Sequence, residues 1–105
     1  MASLEQQFHA EMLDIYRQAK SECGYNATRF LRMVSERGGL DAARQLINAN
    51  VPSEGYMFLW REKRLDLTVE ALILKPPFNT LFTSQEIQTA QNRLTEYGYK
   101  ADDPV

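Results

Sequence analysis

Apolar residues recur every three or four positions at the start of the chain: Leu4, Phe8, Met12, Ile15, Tyr16, Ala19 and Cys23. Glu5, Gln6, His9, Arg17 and Lys20 fill the places between. This period puts the first set on one side of an α-helix and the second on the other. Ser3-Leu4-Glu5-Gln6 reads as a capping box: the Ser3 hydroxyl accepts from an orphan backbone N–H, and the Gln6 amide reaches back. Gly24 stops the helix, because a residue without Cβ enters the left-handed region at little cost.

The same period continues. Asn26 is placed to cap a second helix running to about Glu36 or Arg37, with Ala27, Phe30, Leu31 and Val34 inward. Gly38-Gly39 ends it and needs no further role in this reading. A third helix follows from about Leu40 to Asn48, with Leu40, Ala43, Leu46 and Ile47 inward. Asn48-Ala49-Asn50-Val51-Pro52 is a break. Ser53 caps a segment from Glu54 to about Lys63, and Arg64-Leu65-Asp66 reads as a connection. Leu67 or Thr68 opens a helix to about Leu74, which Lys75-Pro76-Pro77 must end. Phe78 to Phe82 is expected to be an ordered loop or a single turn held by its rings. Thr83-Ser84-Gln85-Glu86 is a second capping box, and its helix turns Ile87, Ala90, Leu94 and Tyr97 inward before Gly98. The pattern predicts an all-α fold, a compact single-domain bundle of five or six short helices over 1–99, with a flexible tail over 100–105.

Composition narrows the classes. The chain has 105 residues, 44% of them hydrophobic, which suits one core without metals or disulfides. The longest aliphatic run, Ala71-Leu72-Ile73-Leu74, is far below the roughly 20 residues of a membrane span. The N-terminus has neither the basic nor the apolar region of a secretory signal. With Cys23 as the single cysteine, a reducing, cytoplasmic setting is expected, and Cys23 itself is read as a small buried hydrophobe.

Charge and motif spacing give little chemistry. Net charge is −2, and neither half is strongly basic. His9 is the only histidine, and Glu5 precedes it by one helical turn. It has no second histidine and no metal-ligand spacing beside it, so a solvated surface histidine is the expected role. No nucleophile elbow or phosphate-binding loop is present. No catalytic, metal or cofactor residue is assigned, and the reading is of a protein that is not an enzyme.

Two surfaces remain. The first is Tyr56-Met57-Phe58-Leu59-Trp60-Arg61-Glu62-Lys63-Arg64, whose five consecutive large apolar residues cannot all share one helix face. Tyr56, Met57, Trp60 and Arg64 are therefore the candidate contacts for a protein partner or a second copy. The second surface belongs to the alternative, a helix-turn-helix-like domain binding nucleic acid through Arg29, Arg32 and Arg44. Phe78 and Phe82 are read as plugging one end of the bundle, or else as rimming a groove for a partner helix.

Tyr25-Asn26-Ala27-Thr28-Arg29-Phe30-Leu31, Gly38-Gly39-Leu40, Leu65-Asp66-Leu67-Thr68-Val69-Glu70 and Glu96-Tyr97-Gly98-Tyr99 together resemble a family of small, uncharacterised prokaryotic helical proteins and modules. The resemblance spans nearly the whole chain and implies no activity, cofactor or catalytic residue. The expectation is a small binding or adaptor module acting through protein–protein contacts or self-association.

Overall fold

The computed structural model describes residues 2–99. It contains six α-helices: α1 (Leu4–Cys23), α2 (Thr28–Arg37), α3 (Gly39–Ile47), α4 (Glu54–Arg61), α5 (Val69–Leu74) and α6 (Ser84–Glu96). Leu65–Leu67 and Phe78–Leu81 form 3-10 turns. The architecture is an all-α single-domain bundle with no strand among the described residues. The expected tail over 100–105 lies outside the described residues.

Local chemistry sets most of the boundaries. Both capping boxes form: Ser3 with Gln6 opens α1, and Thr83 with Glu86 opens α6. Ser53 caps α4 and Thr68 caps α5, each hydroxyl accepting from the backbone N–H three residues on. Gly24 takes φ 69° and ends α1. Two expectations change. Asn26 does not cap α2. Its side-chain oxygen instead accepts from the Tyr16 hydroxyl at 2.7 Å, and α2 begins after Ala27 without a side-chain cap. The segment 64–66 is not a bare connection, because Leu65 and Leu67 are both buried in the turn that leads to α5.

α4 ends at Arg61, before the expected Lys63. Lys63 takes φ 60°, and the Arg64 N–H then donates back to the Leu59 carbonyl at 2.8 Å. A left-handed cap is normally a glycine position, since a Cβ crowds the following carbonyl. Lys63→Gly is expected to raise the unfolding free energy by about 1 kcal/mol, read as a higher urea midpoint at unchanged slope. An unchanged or lower midpoint would show that Lys63 is not strained there.

The main core joins Phe8 and Met12 of α1, Val34 of α2, Ala42, Ala43 and Ile47 of α3, and Val69, Leu72 and Ile73 of α5. α3 sits in the middle, touching α1, α2, α5 and α6. Phe78 and Phe82 meet the buried Phe8 ring edge-to-face, with centroids 5.5 and 5.4 Å away. They plug the bundle around Phe8 and do not form the rim of a groove.

His9 departs from its expected surface role. It is half-buried, and its Nδ1 accepts from the Gly39 N–H at 2.8 Å. Gly39 is buried against the α1 backbone, so it does more than stop a helix.

Candidate binding cavity

The helices leave a cavity of about 500 Å³. Its walls follow from helical spacing. Ile15 and Ala19, four apart on α1, form one side; Phe30 and Met33, three apart on α2, form another. Tyr56 and Leu59 of α4 stand three apart on a third side, and Leu46, Leu67 and Val69 complete the apolar lining. Tyr16, Tyr25, Asn26, Arg29 and Glu54 also line it. α2 packs on α1 and α3, and its only fully buried residue is Val34. The Phe30 and Met33 face of α2 is therefore half-buried and borders the cavity.

The buried polar groups of the lining are already engaged. The Tyr16 hydroxyl donates to Asn26 at 2.7 Å. The buried Tyr56 hydroxyl donates to the Arg93 carbonyl at 2.9 Å, and the buried Thr68 hydroxyl donates to the Leu65 carbonyl at 2.6 Å. The buried Glu70 carboxylate accepts from the Arg93 guanidinium at 3.0 Å. Burial pushes the Glu70 carboxyl above the usual carboxylate range, against the pull of Arg93. Burial likewise raises the Tyr56 phenol, with the Glu70 charge adding to it. Arg93 extends the network by donating to the Leu46 and Ala49 carbonyls at the end of α3.

Arg93 and Glu70 were not singled out in the sequence. A weak signal existed: Arg93 lies three residues beyond Ala90 and beside Leu94, on the apolar face of α6. Two turns earlier on the same side of α6, Glu86 accepts from the Asn48 amide at 2.9 Å, with Arg44 at 3.9 Å. Burial opposes its charge, but the Thr83 N–H, Asn48 and Arg44 together hold its carboxyl below the usual range.

The structure does not gather the expected partner-binding residues into one surface. Tyr56 is 2% exposed, which corrects its placement on the outside. Its hydroxyl has a partner in the Arg93 carbonyl, so the ring is buried without an unpaired polar tip. Met57 is half-buried against the cluster of Tyr56, Leu65, Ala71 and Leu94. Trp60 is 40% exposed, but its indole N–H donates to the Tyr97 carbonyl at 3.2 Å and its ring meets Tyr97 edge-on. Arg64 ties α4 to α1 by pairing with Glu22 at 2.7 Å and with Asp66 at 3.1 Å.

The three arginines of the helix-turn-helix alternative also separate. Arg29 borders the cavity, and Arg32 is exposed on α2. Arg44 turns toward α6 and donates to the Leu81 carbonyl at 2.8 Å. α3, the helix that would enter a groove, is packed against four other helices. Cys23 is half-buried against Ala19, Leu59 and Leu67. No group of three or more potential metal ligands occurs among the described residues, and no described helix is long and apolar enough to cross a membrane. No family model, curated protein or solved structure matches this chain, so its geometry alone bears on function.

Proposed function

We propose that this chain is a small binding module without catalytic chemistry, and that the cavity between α1, α2, α4 and α5 is its recognition element. One observation carries the reading: a cavity of about 500 Å³, walled mainly by apolar side chains, in a chain of only 105 residues. That volume lies within the range of pockets that hold small ligands or a few side chains. The buried polar side chains in its walls, Tyr56, Thr68 and Glu70, are tied up within the fold, which favours binding over acid–base or nucleophilic work. Free, half-buried Cys23 fits a reducing compartment, and we place the protein in the cytoplasm on that ground.

Nile red, an uncharged dye that fluoresces in apolar surroundings, tests the reading. Saturable one-to-one binding to the folded protein is expected. Ala19→Leu puts three more carbons into the cavity wall and is expected to weaken binding at least about tenfold, equivalent to roughly 1.4 kcal/mol. Circular dichroism of the variant checks that it folds. Absence of saturable binding, or equal binding by a folded Ala19→Leu variant, would overturn the proposal.

A second reading is the adaptor that acts through protein contacts or self-association. It is favoured by Trp60 and Val51, the exposed large apolar side chains among the described residues. Sedimentation at several concentrations tests self-association, and a Trp60→Ala variant that associates as the wild type does would remove Trp60 from it. Nucleic-acid binding has less support, because Arg29 and Arg44 face different elements.

A further inference from the structure

We infer that the cavity takes a small, uncharged, largely apolar molecule of aromatic or alicyclic type; this rests on the cavity being the recognition element. Charge is the first ground. The buried polar side chains of the lining, Tyr56, Thr68 and Glu70, already hold hydrogen-bond partners within the fold. Among the described residues no buried side-chain nitrogen or oxygen lacks a partner. A charged ligand group brought against the buried part of the lining would lose its water and meet no uncommitted counter-group there, a cost of several kcal/mol. Arg29 and Glu54, the exposed ionisable residues of the lining, have opposite signs and give no net preference.

Shape and surface supply the second ground. A protein segment docking here would need apolar surface around the opening to build an interface core. The exposed large apolar residues among the described residues are Val51 and Trp60, and neither lines the cavity. The apolar area of this region belongs to buried and half-buried side chains of the lining, among them Ile15, Phe30, Met33 and Leu59. The rings of Tyr16, Tyr25, Phe30 and Tyr56 contribute to the lining and offer faces or edges to a ring-bearing ligand.

Three probes of nearly equal size separate the possibilities at neutral pH: naphthalenemethanol, naphthylmethylammonium and naphthoate. Each is titrated into the wild-type protein, with amide NMR shifts locating the site and calorimetry giving the affinity. The alcohol is expected to bind about tenfold or more tighter than either ion, and to move amides around Phe30, Met33 and Leu59. Equal binding of all three at those amides would overturn this inference and leave the cavity as the recognition element. Tighter binding of the ammonium would assign the recognising charge to Glu70 or Glu54, and tighter binding of the carboxylate would assign it to Arg29; either result overturns the inference. Binding by none of the three, or shifts confined to Trp60 and Tyr97, would overturn both this inference and the cavity reading.

Discussion

Arg93→Ala is expected to lower the unfolding free energy by about 3–5 kcal/mol, the usual consequence of removing one partner from a buried ion pair. The guanidinium is held inside the bundle and joins α6 to two other chain segments. It pairs with Glu70 of α5 and donates to the Leu46 and Ala49 carbonyls at the end of α3. Alanine leaves a buried carboxylate and two carbonyls without their donor. The pH dependence carries a sign. Glu70 already titrates above the usual carboxylate range, so the folded state keeps its proton to higher pH than the unfolded chain does. This contribution to stability is present at acid pH and is lost as pH rises through the raised value. Without Arg93 the carboxyl is pushed higher still, so the variant should lose more stability at neutral pH than at acid pH. Glu70→Gln in the Arg93→Ala background should recover part of the loss at neutral pH. Urea unfolding across pH measures all three quantities. A loss below about 1 kcal/mol would place Arg93 among ordinary surface ion pairs.

Gly39→Ala is expected to cost about 3 kcal/mol, at the upper end of the usual penalty for overpacking. A Cβ at Gly39 would stand 2.6 Å from the His9 Cα, and that atom belongs to the α1 backbone, which cannot rotate away. The clash comes with an intact polar contact, because the Gly39 N–H donates to the His9 Nδ1 at 2.8 Å. The two effects can be separated. His9→Ala alone removes only the acceptor and should cost about 1 kcal/mol. The double variant should not recover the stability lost in Gly39→Ala, since trimming the imidazole leaves the Cα in place. Thermal unfolding of the three variants decides it. A double variant as stable as His9→Ala would show that the side chain, and not the backbone, sets the close approach.

Arg93 and Gly39 mark the limit of what a local pattern encodes. The capping boxes at Ser3 and Thr83 and the cap at Ser53 were legible, because a hydroxyl and the N–H three residues on are fixed by local geometry; Thr68 was legible only as the start of a helix, which it caps. Asn26 carried a capping signal as well, yet Tyr16, ten residues earlier, captured its side chain. Gly38-Gly39 was legible as a helix end, but not as a point of contact with α1. Local patterns identify a glycine; they do not tell whether a turn or a neighbouring backbone requires it.

The candidate site was less visible. Phe30, Ala19 and Ile15 were read as inward-facing, and inward they are, but part of that interior is a cavity. Periodicity identifies which side of a helix is covered, not whether the space beneath it is filled. Tyr56 and Trp60 stood in one apolar run with equal standing as surface contacts. The Arg93 carbonyl took the Tyr56 hydroxyl into the core, while Trp60 stayed half outside, resting on Tyr97.

The order of amino acids by itself determined that this protein is helical and where most of its helices begin. Those are short-range matters, set by a period of 3.6 residues and by caps within one turn. Tertiary structure alone decided that Arg93 and Glu70 meet in the interior, that α1 and α3 touch through a glycine, and that α1, α2, α4 and α5 enclose an open space. The Arg93 contacts to Glu70 and Leu46 join groups 23 and 47 residues apart, the Gly39 contact to His9 joins groups 30 apart, and no local preference encodes such separations.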